Sequence, residues 1–270
     1  MNETIILKEG PYEISLTPVL CDPRQGIRDA ILVIPGGGYQ IVCDDREGFP
    51  VAMAFAAKGM SAFVLKYSIK EAAINHEPLI DASIAMAYIK QHAEEFHIDP
   101  KRVSCVGFSA GGHLSGSLGC LWHKPDVIER AGIRYGENKP LASIMGYPVV
   151  SGIDSPHSGS FFTILGTKTP TDEERKKYSL ELCVDENTRP AFMFHTAADQ
   201  SVPVQNSLTY SRSLADNKIP FELHIYPYGP HGIALANEVT EFSRPDFVVP
   251  EAERWVEDAV RFVRSLPSLD

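Results

Sequence analysis

Apolar residues in this chain come in two kinds of run, and the two alternate. Ala30-Ile-Leu-Val-Ile34 and Ser61-Ala-Phe-Val-Leu-Lys66 are short and nearly unbroken, as expected of strands buried on both faces. Phe49 to Lys58 is longer and apolar and stops at Gly59, which reads as a helix with a glycine terminator. Leu79 to Phe96 sets Ile80, Ile84, Ala87 and Ala93 near one face at helical spacing. The same rhythm continues with strands at Arg102–Gly107, Leu141–Tyr147, Pro190–His195 and Phe221–Tyr226. Helices are predicted at Ala110–Leu121, Val204–Asp216 and Pro250–Ser265, the last with Trp255 and Phe262 facing inward. Ahead of all this, Ile5-Ile6-Leu7 and the alternating Tyr12-Glu-Ile14-Ser-Leu16 predict two antiparallel strands.

Repeated strand–helix units imply an α/β fold, a mostly parallel central sheet with helices on both faces. One segment breaks the rhythm. Ser151–Arg189, between the sixth and seventh predicted strands, is long and rich in Ser, Thr and charge. A connection of that length is functional or partly helical. We read 151–189 as a small cap-like insertion within one domain spanning 1–270.

Composition narrows the field. With 44% hydrophobic and 22% charged residues over 270 positions, the chain can bury a large core without metal or disulfide staples. It carries 35 acidic and 25 basic residues, a formal charge of −10, and such a surface repels phosphate backbones and anionic lipid. Nucleic acid and membranes are therefore not expected partners. The five cysteines are odd in number and widely spaced, with no C-x-x-C pair, which argues against a disulfide framework or zinc site. Met1–Gly10 shows no basic head followed by an apolar run. The expectation is a soluble cytoplasmic protein; nothing in the sequence decides between monomer and homo-oligomer.

The strongest chemical signal is Gly107-Phe108-Ser109-Ala110-Gly111-Gly112, placed between a predicted strand and a predicted helix. G-x-S-x-G in that context puts a serine on a sharp turn that exposes its hydroxyl. Small residues on either side let strand and helix pass closely. The helix N-terminus then offers amide groups to negative charge developing on a substrate oxygen. A second signal is Pro35-Gly36-Gly37-Gly38-Tyr39, directly after a buried strand. Its glycines run into a polar loop, Gln40 to Glu47, instead of the helix that a dinucleotide fingerprint requires. An oxyanion loop is the better reading. Pro35 has no N–H, so the donors fall to Gly37 or Gly38, completed by Ala110 after the serine.

Taken together, Pro35–Tyr39, Gly107–Gly112, His195-Thr-Ala-Ala-Asp199 with Val202-Pro203 and Asn206-Ser207, and Gly229-Pro-His231-Gly232 resemble one group in content and order. They resemble the esterase/lipase branch of the α/β-hydrolase superfamily, especially bacterial acetyl esterases and acetylxylan-esterase-like carbohydrate esterases. The likeness spans roughly residues 30–265. It departs at Pro35, where related enzymes often carry histidine, which removes a side chain that could brace the loop.

That fold implies the chain order Ser, Asp or Glu, His. His231, after the last strand, is then the base, and Asp199, after the strand ending at His195, the acid that fixes its tautomer. His195 is read as supporting the acid loop. His113, one turn after Ser109 on a rigid helix, is read as packing. Asp185 and Glu186 precede their strand and belong to the other sheet end. The implied reaction is hydrolysis of a small acyl ester through an acyl-enzyme, without metal or organic cofactor. Tyr39, Phe108 and Tyr147 are expected to crowd the mouth of the site and restrict it to acetyl-sized groups, with His157 of the insertion touching substrate. The alternatives are an arylformamidase-like amidase or small peptidase on the same fold, or a silent binding protein. About a hundred residues before Ser109 leave no room for the propeller of prolyl-peptidase relatives, and silent relatives typically lose a triad member.

Overall fold

A computed structural model describes residues 3–10 and 12–270; Met1 and Asn2, part of the stretch Met1–Gly10 whose sequence shows no basic head and apolar run, and Pro11 lie outside the described residues. Among the described residues, eight strands form one sheet in the order β1-β2-β4-β3-β5-β6-β7-β8. They are β1 Ile5–Lys8, β2 Ile14–Val19, β3 Arg28–Ile34, β4 Met60–Lys66, β5 Ile98–Phe108, β6 Ser143–Gly146, β7 Ala191–Thr196 and β8 Phe221–Tyr226. β1 and β2 pair antiparallel, β2 joins β4 antiparallel, and every later pairing is parallel. The sequence expectation of a mostly parallel sheet with an antiparallel N-terminal edge is met.

Alternation along the central strands sorts side chains to two layers. Leu32 and Ile34 of β3 enter a core with Phe63, Leu65, Met86 and Leu114. Their neighbours Ile31 and Val33 enter the opposite core with Phe55, Val106, Phe108, Phe194 and Trp255. Helices α2 (Glu77–Gln91) and α3 (Ala110–Leu121) supply the first layer; α1 (Phe49–Ala57) and α8 (Trp255–Ser265) supply the second. Trp255 and Phe262 do face inward, at 0% and 8% exposure. Trp255 stacks on Phe194 with ring centroids 4.5 Å apart and donates its indole N–H to the Ala234 carbonyl at 2.9 Å.

Three boundaries differ most from the periodicity. α2 ends at Gln91, not Phe96, and His97 adopts a left-handed conformation that turns the chain into β5. β5 starts at Ile98 in spite of Pro100, because its pairing with β3 skips from Arg28↔Ile98 to Ala30↔Val103. That irregularity absorbs the missing N–H of the proline. The closing helix begins at Trp255, with 250–254 in turns. A short helix that periodicity did not indicate, α4, runs Pro125–Ala131.

The 151–189 segment between β6 and β7 folds into α5 (Ser158–Leu165), α6 (Asp172–Lys177) and a single turn at Leu180–Leu182. Phe161 and Ile164 of α5 are buried in the α2/α3 core. Asn206, next to the start of α7 (Gln205–Asp216), accepts from the Val150 and Ser151 N–H groups and donates to the Ser155 carbonyl. Among the described residues no helix is long and apolar enough to cross a membrane.

Parallel strands finish at one edge of the sheet, which gathers loops distant in sequence. Ile34 pairs with Gly107, Phe108 with Gly146, and Gly146 with Phe194. The loops after β3, β5, β6, β7 and β8 therefore leave side by side. The tightest point lies there: a Cβ on Gly107 would run into the Gly111 carbonyl, and one on Gly111 into the carbonyls of Ile34 and Pro35. These obstacles are backbone and cannot swing aside. Gly107→Ala should lower the unfolding free energy by about 3 kcal/mol or more, read from the urea midpoint at unchanged slope. A loss below about 1 kcal/mol would mean that strand and helix can separate here.

Candidate active site

Ser109 joins β5 to α3 with φ 53° and ψ −118°, a conformation that side chains other than glycine rarely adopt. It persists because the surroundings over-determine it. The Ser109 N–H donates to the Gly146 carbonyl at 3.0 Å, and its own carbonyl accepts from His113 and Val149. Ala110 is the first residue of α3, so the N-terminal amides and positive end of the helix lie directly after the serine.

His231 comes from the loop after β8 and brings its Nε2 to 2.8 Å from Ser109 Oγ. Its Nδ1 lies 2.6 Å from Asp199 Oδ2. A carboxylate only accepts, so Nδ1 carries the proton and Nε2 is left to accept from the serine hydroxyl. Asp199 is 5% exposed, and its other oxygen accepts from the Ser201 and Val202 N–H groups at 2.8 and 2.9 Å. Burial works against its charge, but hydrogen bonds from His195 and His231, reinforced by the Val202 amide, outweigh it and hold the carboxyl well below the usual range.

His195, wholly buried, places Nε2 2.9 Å from the Val202 carbonyl and 3.3 Å from Asp199 Oδ2. A carbonyl cannot donate, so Nε2 carries hydrogen and Nδ1 accepts from Ser207 Oγ at 2.8 Å. The acid loop is thus clasped from below by the end of its own strand. His113 is wholly buried, donating Nε2–H to the Tyr178 carbonyl and accepting from the Tyr39 hydroxyl. Both its nitrogens are engaged away from Ser109. Asp185 pairs with Lys124 and His123.

The loop after β3 turns sharply. Gly37 and Gly38 have φ of 128° and 64°, and a Cβ on Gly37 would collide with the Ile41 carbonyl. The Gly36 N–H is engaged at 2.7 Å by the carboxylate of Glu47. Among the hydrogen bonds of the described residues, Gly37, Gly38 and Ala110 have no acceptor for their amides. Glu47 was not distinguishable in the sequence. Asp44 and Asp45 stand beside it in what reads as a polar loop, yet 44–48 form one π-type turn that buries Glu47 to 2% exposure. Its second oxygen accepts from the Tyr147 hydroxyl at 2.8 Å.

Three side chains expected at the mouth are not there. Tyr39, Phe108 and Tyr147 are 0%, 0% and 1% exposed. Phe108 follows the strand alternation into the layer of Phe194 and Trp255. Tyr39 bonds His113, and Tyr147 lies edge-on to the His231 ring at 5.0 Å, reaching down to Glu47. Their polar tips find buried partners, so these rings form the floor beneath the site. His157 is half-buried, its Nδ1 bonds Ser160 Oγ at 2.9 Å, and burial together with the neighbouring His231 lowers its pKa. It lines a cleft of about 550 Å³ with Gly38, Gln40, Phe162 and Thr163. A second, more polar depression of about 440 Å³ opens beside His231, lined by Gln200, Ser201, Arg244 and Asp246.

A parallel sheet with loops gathered at one edge, a strained serine between strand and helix, and a histidine–aspartate pair on the last two strand ends define the α/β-hydrolase fold. The chain belongs to the BD-FAE family, whose sequence model matches residues 20–214. It is 40% identical over 216 residues to endo-1,4-beta-xylanase B of Butyrivibrio fibrisolvens, a match covering 78% of this chain and 33% of that protein. It is 28% identical over 243 residues to an acetylxylan esterase of Xylanibacter ruminicola, covering 86% and 47%. The chain thus spans a third to a half of the length of these relatives. Among solved structures, the acetyl ester-xyloside bifunctional hydrolase of Caldicellulosiruptor lactoaceticus superposes with a TM-score of 0.82 at 31% identity, over 97% of this chain and 96% of that one.

The buried histidine beneath the site sets an acid sensitivity. Burial pushes His113 down to about 4, with the Tyr178 carbonyl opposing. The unfolded chain takes up this proton below about 6.5, the native state only near 4, so stability is lost as pH falls through that window. Urea unfolding from pH 7 to 4 should show the wild type losing up to about 3 kcal/mol more than His113→Gln. Parallel curves would show that His113 is protonated equally in both states.

Proposed function

We propose that this chain is a serine carboxylic-ester hydrolase that removes small acyl groups, acetyl foremost, from hydroxyl-rich alcohols such as sugars. The observation that carries the reading is the continuous relay Ser109 Oγ–His231 Nε2 and His231 Nδ1–Asp199 Oδ2, at 2.8 and 2.6 Å, on a strained elbow. Ser109 attacks the ester carbonyl while His231 takes its proton. The carbonyl oxygen becomes an oxyanion, for which the amides of Gly37, Gly38 and Ala110 are the donors. His231 returns the proton to the leaving alcohol, water enters, and the same imidazole activates it to release the acid and regenerate Ser109. Asp199, anchored by two backbone amides and His195, keeps the imidazole in the tautomer that makes this possible.

The acyl-size reading rests on different residues than the sequence suggested. With Tyr39, Phe108 and Tyr147 under the floor, the restriction falls to Phe162, His157 and Gln40 on the cleft wall. α5 is anchored through Phe161 and Ile164, and Gln40 bonds Thr163 at 2.6 Å, which supports a fixed wall. The names of the acetylxylan esterase and acetyl ester-xyloside hydrolase relatives favour an acetylated sugar. The polar depression beside His231 suits the alcohol portion, since the base must reach the leaving oxygen. Five unpaired cysteines favour a reducing, cytoplasmic setting, and we read 1–270 as one catalytic unit with 151–189 as its cap.

With an acetyl ester, Ser109→Ala and His231→Ala should each lower kcat by about 10⁴- to 10⁶-fold, and the double variant should be no worse than the worse single one. Multiplying effects would mean that the two side chains act independently. Across p-nitrophenyl esters, kcat/KM should be highest for acetyl or propionyl and fall toward octanoyl. An octanoyl optimum would refute the size reading, and inactivity on acetylated xylo-oligosaccharides would refute the sugar reading.

A further inference from the structure

A buried carboxylate connects two loops that the reaction needs in fixed relation. Glu47 receives the Gly36 N–H on one oxygen at 2.7 Å and the Tyr147 hydroxyl on the other at 2.8 Å. Tyr147 Oη in turn accepts the Ala234 N–H at 3.0 Å, three residues after His231. Gly36 immediately precedes the free amides of Gly37 and Gly38, and a Cβ on it would touch Ser109 Cβ. One end of the chain of bonds therefore lies beside the oxyanion donors and the other in the base loop, and the Tyr147 ring packs edge-on against the imidazole. Burial, then the charge of Glu47, holds the Tyr147 phenol well above its usual range, so it remains a donor to the carboxylate.

We propose that Glu47 is a positioning residue that sets the oxyanion donors and His231 in mutual register through Gly36 on one side and Tyr147–Ala234 on the other. Several features argue against simple core cohesion. A carboxylate is a costly group to bury, and an apolar residue would serve cohesion better. The π-type turn that delivers it is a rare local structure, frequent at functional sites. Pro35 has no polar side chain with which to hold the loop, and Glu47 holds it from behind at the next residue. The Pro35 carbonyl is itself held by the Tyr67 hydroxyl at 2.6 Å, so the loop is fixed at two successive residues. This inference rests on the esterase reading above.

The test compares Glu47→Gln, Tyr147→Phe and their double variant with the wild type on an acetyl ester. In Glu47→Gln the amide oxygen can keep the Gly36 N–H, but the N–H₂ then faces the Tyr147 hydroxyl, which must turn from donor to acceptor and leaves its own hydrogen without its carboxylate partner; Tyr147→Phe keeps the Gly36 bond and cuts the route to Ala234. Each single variant should lose about 10- to 100-fold in kcat with KM within about threefold. Affinity for a boronic acid, which becomes tetrahedral on the serine, should fall by the same factor, while affinity for a non-reactive amide analogue of the substrate stays put. The double variant should be no worse than the worse single one. Unchanged kcat with only a lowered Tm would overturn the proposal and leave Glu47 a structural residue, as would equal loss of boronate and amide-analogue binding. If Glu47→Gln fails to fold, Tyr147→Phe carries the same comparison. A wild type without ester turnover would instead refute the esterase reading and this inference with it.

Discussion

The structure depends on the close approach of β5 and α3 around Ser109. Where the strand turns into the helix, the Gly107 Cα and the Gly111 backbone leave no space for a methyl group, and Gly111 is pressed against the end of β3. Beside that contact the serine holds a strained positive-φ conformation, with its N–H bonded to the Gly146 carbonyl. Strain of this kind survives only when the neighbours are rigid. The two apolar layers, the parallel register and the anchored insertion are what make them so.

From this point the remaining parts fall into place by topology. Parallel strands end together, so β7 delivers Asp199 and β8 delivers His231 to the serine without any long connection. Each arriving group is then fixed by neighbours from other segments. Asp199 is held by His195 and two amides, His231 by Asp199 and the Tyr147 ring, and the loop after β3 by Glu47 and Tyr67. Few of these contacts involve exposed groups, so solvent reorganisation around the relay is small.

Much of this was legible in the sequence, and the reason is physical. Strand–helix alternation follows from apolar periodicity, and a serine flanked by glycines between a strand and a helix can form few other structures. The chain order then led to Asp199 and His231, which the structure brings within hydrogen-bond distance of each other, His231 also reaching Ser109. The unread part was the depth of side chains. Tyr39 and Tyr147 have positive φ, which turns their rings downward in a way that strand alternation does not anticipate. Phe108 does obey alternation, and its neighbourhood to Ser109 in sequence hid that. Glu47 carried no periodic signal among three acidic residues in four positions; only the π-type turn separates the buried one from its exposed or half-exposed neighbours.

The central claim is that Ser109 is a nucleophile made reactive by His231 and Asp199. It is tested most directly by labelling the protein with a fluorophosphonate and locating the adduct by peptide mass spectrometry. The account predicts one adduct, on the peptide containing Ser109, forming rapidly in the wild type, slowly in Asp199→Asn and His231→Ala, and absent from Ser109→Ala. Labelling at another serine, or equal rates in the wild type and the His231 variant, would contradict it.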